Sequence, residues 1–170
     1  MTTSCYFDSE IIPNLIIKLN NADKVLIAAY EFTSSKIVDT LENIVSEIII
    51  DSSYSDKNYA DYTEKLLNKS GSKIYKYKCH DKSIFHNKFV VFLRKNSSEY
   101  IPYAVWTGSA NYTKQSERNH ENVIYIEDNE IAKQYYNKFN EYKNNKKLHL
   151  DDFKEHKEHE ELKKLETMNI

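Results

Sequence analysis

Two periodicities alternate along this chain. Short continuous runs of apolar, β-branched and aromatic residues have the length of strands, and between them lie stretches in which apolar residues recur three or four apart, the spacing of a helix face. Lys24-Val25-Leu26-Ile27-Ala28-Ala29-Tyr30-Glu31-Phe32 is a nearly unbroken apolar run, as expected of a strand buried on both faces, and Glu47-Ile48-Ile49-Ile50-Asp51 is a second strand. Ile11 to Leu19 has helical spacing, with Pro13 tolerable in the first turn and Asp8 or Ser9 available as a cap. Ser34-Ser35 caps a helix whose apolar stripe runs through Ile37, Val38, Leu41, Ile44 and Val45. A third helix is predicted from about Asn58 to Asn68, ended by Ser70-Gly71, and Asn129 caps a fourth through Ile131, Ala132, Tyr135, Tyr136 and Phe139.

Between Ile84 and Glu127 the helical spacing disappears. Phe89-Val90-Val91-Phe92-Leu93, Tyr103-Ala104-Val105-Trp106 and Val123-Ile124-Tyr125-Ile126 are three apolar runs separated by polar punctuation, and they read as neighbouring strands. The full order, strand-helix-strand-helix-strand followed by three strands and a final helix, predicts an α/β sandwich: a mixed sheet with helices on its faces. One domain is expected over residues 1–147. Beyond it, residues 148–170 are charged, with Leu148, Leu150, Phe153, Leu162 and Leu165 too sparse for a packed helix face, and are expected to form a solvated tail. His149, His156 and His159 belong to that charged tail rather than to a metal site.

Polar residues gather at the ends of the three late runs. His86 and Lys88 stand two apart before the first, so on an extended chain they share a face. An imidazole beside an ammonium suits a phosphate, the Lys neutralising its charge and the His attacking it. Ser109 and Asn111 repeat the two-residue spacing after Gly108 and offer a hydroxyl and an amide to phosphate oxygens. Glu121, just before the third run, is a candidate to orient the imidazole. Each feature alone is ordinary strand-edge or turn chemistry; the ordered set, His-x-Lys, Gly-Ser-x-Asn, then Glu, points to function.

That set resembles the signature of the phospholipase D superfamily. Ile27-Ala28-Ala29-Tyr30-Glu31-Phe32-Thr33 and Ile48-Ile49-Ile50-Asp51 also look like the first two core strands of its short, single-motif endonuclease branch, and Asn111-Tyr112-Thr113 and Glu121-Asn122-Val123 agree. The resemblance covers roughly Ser9 to Tyr142. In the family an Asp follows the motif Lys by five positions and supports the motif; here that position is Leu93, which leaves Glu121 as the expected partner of His86 and raises the alternative of a degenerate, non-catalytic member.

The resemblance implies a symmetric homodimer in which two copies of the motif build one site, and a metal-independent phosphodiesterase that works through a covalent phosphohistidine, with no cofactor. His86, Lys88, Ser109, Asn111 and Glu121 are the expected catalytic set. The net charge of −2 and pI near 6.3 argue against a globally basic nucleic-acid binder, so any such contact must be local. Lys73-Ile74-Tyr75-Lys76-Tyr77-Lys78 is the candidate patch, expected to show an apolar and a basic face, with Lys82 extending it. Two cysteines, Cys5 and Cys79, make neither a disulfide framework nor a metal site. With two glycines a nucleotide-binding loop is excluded. No signal peptide or membrane-length apolar run is present, so a cytoplasmic protein is expected. The expected substrate is DNA or RNA; the alternatives are a phospholipid or other small phosphodiester, and a nucleic-acid-binding dimer without turnover.

Overall fold

The computed structural model describes residues 1–52, 57–79, 83–145 and 147–149. Its centre is an eight-stranded mixed sheet in the order β1-β7-β6-β5-β2-β3-β4-β8. The strands are β1 (Thr2–Phe7), β2 (Lys24–Ala29), β3 (Val45–Asp51), β4 (Lys73–Tyr77), β5 (Phe89–Asn96), β6 (Glu99–Gly108), β7 (Asn122–Glu127) and β8 (Lys147–His149). The helices are α1 (Ile11–Asn20), α2 (Ser35–Leu41), α3 (Lys57–Lys69) and α4 (Asn129–Asn145). β2, β3 and β4 run parallel, β5 pairs antiparallel with β2, and β5, β6, β7 and β1 follow as an antiparallel ladder.

Successive residues of each central strand feed opposite cores, as the two-residue period of a strand demands. Val25, Ile27, Ala29, Ile48, Val90, Phe92 and Trp106 join Ile11, Leu15, Ile37, Val38 and Leu67 of α1–α3 on one face. Leu26, Ala28, Ile49, Phe89, Val91, Leu93 and Val105 join Phe139 of α4 on the other. This explains why β2 reads as a continuous apolar run and confirms the predicted mixed sheet with helices on both faces.

Several local expectations are corrected. β1 was absent from the sequence reading because it is an edge strand that buries little; Tyr6 is its anchor, stacked on Trp106 with ring centroids 5.5 Å apart. Neither Asp8 nor Ser9 caps α1, whose N-terminus is entered through a single 3-10 turn with no side-chain cap. Ser34 does cap α2, but the helix stops at Leu41 and Val45 opens β3, because parallel pairing with Lys24 claims it. Asp128 rather than Asn129 caps α4, accepting from the Glu130 and Ile131 amides at 3.0 and 2.9 Å. Lys147–His149 adds a short strand to β4, so the first residues of the expected tail are part of the sheet. Residues 53–56 and residues 150–170, with His156 and His159, lie outside the described residues.

Candidate active site

Antiparallel pairing brings the motif together. The first residue of β5, Phe89, pairs with Thr107 near the end of β6, and Gly108 pairs with Val123 near the start of β7. Ala28, near the end of β2, pairs with the same Phe89. One end of the sheet therefore carries His86 and Lys88 before β5, Ser109 and Asn111 after β6, Glu121 before β7, and Tyr30 after β2. The approach of β6 to β7 requires Gly108: a Cβ there would collide with the Asn122 carbonyl and come within 2.6 Å of Val123 Cα.

His86 and Lys88 are in direct contact. The Lys88 ammonium lies 3.2 and 3.1 Å from His86 Nδ1 and Nε2 and donates to the His86 carbonyl at 3.0 Å. Tyr30 packs against both, its ring centroid 4.8 Å from that of the imidazole and 5.5 Å from Lys88 Nζ. Lys88 is buried, and burial pushes its pKa down, opposed by the charges of Glu121 and Glu31. The segment 83–88 has no regular structure of its own. The Phe85 amide donates to Asp51 Oδ1 at the end of β3 (2.9 Å), Phe85 packs edge-on against Tyr142 (5.1 Å), and Asn87 Nδ2 donates to Tyr142 Oη at 3.2 Å.

Ser109 and Glu121 form a second group. Ser109 Oγ donates to the Glu121 carboxylate and accepts from the Asn122 amide at 3.1 Å. Asn119 Nδ2 donates to the other Glu121 oxygen at 3.3 Å. Asp8 clamps the same loop from β1, accepting from the Glu121 amide at 3.0 Å while its own amide donates to the Glu121 carbonyl at 3.1 Å. Among the described residues of one chain the Glu121 carboxylate bonds to Ser109 and Asn119, and its charge acts on Lys88; no hydrogen bond joins it to His86. Asn111, two residues beyond Ser109, has its Oδ1 buried and unpartnered among the described residues.

The lysine patch is also corrected. Lys73 and Lys76 are three apart on β4 and so project to opposite faces; Lys73 is exposed, Lys76 is buried, and Lys78 lies exposed beyond the strand. There is no single basic face. Lys82 lies outside the described residues. Exposed cations also stand at Lys114 and Arg118, on the loop after Asn111, which sequence reading did not single out. It also missed Tyr30, Asp8 and Asp51 as site residues, because each of these makes its contact far apart in the chain. Leu93 lies four residues into β5, roughly 13 Å along the strand from Phe89, and is buried with Leu26, Val105 and Phe139. Within one chain this departure from the family pattern does not touch the site. Among the described residues no group of three His, Cys, Asp or Glu side chains is arranged to hold a metal, and no helix is long and apolar enough to cross a membrane.

Comparison with known proteins agrees with this arrangement. The cardiolipin synthase, phospholipase D-like domain family matches residues 15–143. No curated protein sequence matches the chain. In structure it is similar to a phospholipase D family member, Nuc from Salmonella typhimurium, with a TM-score of 0.71 at 19% identity over 85% of this chain and 95% of that one. It is similar to NucT from Helicobacter pylori, with a TM-score of 0.65 at 21% identity over 83% and 94%. A weaker likeness, a TM-score of 0.53 at 13% identity over 84% and 52%, links it to TrmBL2, an archaeal chromatin protein described with a mode of DNA binding. With its motif assembled at one end of the shared fold and three-quarters of its length matched by the family, the chain belongs to the phospholipase D superfamily.

Proposed function

We propose that this protein is a metal-independent phosphodiesterase that cleaves nucleic acid through a phosphohistidine, in an active site built from two copies of the chain. The observation that carries the reading is the buried Lys88 ammonium held against the His86 ring, at the end of the sheet that also carries Ser109 and Asn111. A buried cation with no carboxylate at ion-pair distance among the described residues is short of an anion, and a phosphodiester supplies one. The near-complete overlap with Nuc and the exposed Lys114 and Arg118 beyond Asn111 support nucleic acid as the substrate.

His86 attacks phosphorus; a P–N bond forms as one P–O ester bond breaks. His86 of the second copy protonates the leaving oxygen, then takes a proton from the water that hydrolyses the phosphohistidine and regenerates the enzyme. Lys88 and Asn111 hold the non-bridging oxygens, where charge accumulates. Ser109 fixes Glu121, whose charge helps keep Lys88 protonated in its buried position.

The test is cleavage of labelled single- and double-stranded DNA and RNA in EDTA, with wild type beside His86→Ala. Cleavage by wild type alone is expected. Cleavage that EDTA abolishes rejects the mechanism. Salt-sensitive binding without turnover moves the protein to a nucleic-acid-binding role, and turnover only on phospholipid vesicles replaces the substrate.

A further inference from the structure

We infer that Tyr30 is the positioning residue for His86, taking the part that Glu121 does not play within the chain; this rests on the phosphodiesterase reading above. His86 lies in a segment without a strand ladder or helix to fix its direction. Among the described residues its ring nitrogens meet only the Lys88 ammonium, which carries no hydrogen-bond acceptor for them. The imidazole is exposed, and the side chain that packs on its ring is Tyr30, 4.8 Å away between centroids and inclined at 55°. The same ring faces Lys88 Nζ at 5.5 Å, so one side chain bears on both halves of the His-x-Lys pair.

Tyr30 is itself held on a rigid support. It directly follows β2, a strand flanked on both sides and buried from Val25 to Ala29. The residues after it are tied to the chain beyond Asn111: the Tyr112 amide donates to the Glu31 carbonyl at 3.2 Å, and the Tyr112 carbonyl accepts from the Thr33 and Ser34 amides at 2.8 and 2.9 Å. An isolated bridge between Phe32 and Tyr112 closes the same connection. The ring thus refers the direction of the nucleophile to the part of the fold that carries Asn111. Without it the imidazole has room to turn, and the loss falls on the rate of attack rather than on substrate binding, since misalignment of about 1 Å costs on the order of a hundredfold.

The experiment compares wild type, Tyr30→Phe and Tyr30→Leu, with Tyr30→Met as a second aliphatic variant should the Leu protein fail to fold. Two readouts are taken: steady-state cleavage of bis(p-nitrophenyl) phosphate, and the His86 ring-proton NMR signals, identified by their loss in His86→Ala. In wild type and Tyr30→Phe the His86 signals lie displaced from their random-coil positions by the aromatic ring; in the aliphatic variant they return toward them. The aliphatic variant loses at least about tenfold in kcat with KM little changed, and Phe restores it. An aliphatic variant with wild-type kcat overturns the inference, as do His86 signals that do not move, or a loss confined to KM. If wild type cleaves nothing, the phosphodiesterase reading has failed, whereas the NMR arm still decides whether Tyr30 orients His86.

Discussion

Lysine stands at both ends of the same sheet, and the two ends use it in opposite ways. Away from the motif, Lys24 and Lys143 converge on Glu47 at 2.7 and 3.0 Å, and Tyr75 Oη donates to the same carboxylate at 3.3 Å. Burial would raise the pKa of Glu47, but hydrogen bonds and charge from the two lysines outweigh it and pull it to about 2. There the charges are matched inside the fold. At the motif end Lys88 is 8% exposed, with no carboxylate at ion-pair distance among the described residues, and its close contacts are the ring and carbonyl of His86. A matched cluster contributes stability and leaves little for a ligand to gain. An unmatched buried ammonium costs stability and is available to an anion. The contrast separates structural charge from functional charge without reference to any relative.

The comparison breaks most directly at Lys88. Replacing Lys88 by Met should lower cleavage by about two to three powers of ten, the usual cost of one preorganised charge-stabilising donor, while leaving the melting temperature unchanged or higher. Lys24→Met should do the reverse, lowering the melting temperature with cleavage intact. Inorganic phosphate should raise the melting temperature of wild type and not that of Lys88→Met, by mass action on the folded state. Thermal scans and cleavage assays on the same preparations check all of this. A Lys88→Met protein that melts well below wild type would make Lys88 a structural cation and erase the distinction.

Next in size is the acid limb at Glu47. In the folded protein Glu47 stays ionised down to about pH 2, whereas the unfolded chain takes up the proton near 4.5. Between those values the unfolded state binds more protons, so stability falls as pH falls; it is fully present above about pH 5 and lost progressively toward pH 2. The difference is worth up to about 3 kcal/mol. Urea unfolding at pH 7 and pH 3 should therefore show wild type losing more stability on acidification than Glu47→Gln. Equal losses would mean that the two lysines do not hold this carboxylate as the distances imply.

The two ends also differ in how much the sequence disclosed. His86, Lys88, Ser109, Asn111 and Glu121 were readable because His-x-Lys and Gly-Ser-x-Asn are short local patterns and all five residues sit at strand edges, which antiparallel pairing then gathers at one end. Apolar periodicity identified β2, β3, β5, β6 and β7 for the same local reason. What stayed hidden depends on partners far away in sequence. Asp8 matters only because β1 delivers it to Glu121, 113 residues on, and Asp51 only because it meets the Phe85 amide, 34 residues on. The Glu47 cluster draws on Lys143, 96 residues away. The basic face of β4 failed because residues 73 and 76 differ by an odd number, which on a strand places them on opposite sides. Residue type suggested a Glu121–His86 pairing and did not disclose that Ser109 and Asn119 bond the same carboxylate.

The smallest predicted effect sharpens the contrast inside the motif end itself. Asn111 and Tyr112 are neighbours, and each has a buried polar atom without a partner among the described residues, Asn111 Oδ1 and Tyr112 Oη. Asn111 is partly exposed, although its Oδ1 is buried. Tyr112 is 2% exposed, its ring against Phe32 with centroids 5.6 Å apart, and burial pushes its phenol well above the ordinary range. Its backbone carries the connection to Glu31, Thr33 and Ser34, which a Phe would keep. Deleting an unpaired buried hydroxyl removes a desolvation penalty and no hydrogen bond, so Tyr112→Phe should be neutral or more stable by up to about 1 kcal/mol, with cleavage unchanged. Chemical denaturation of the two proteins decides it. A destabilisation of more than about 1 kcal/mol would show that the hydroxyl is paired through water.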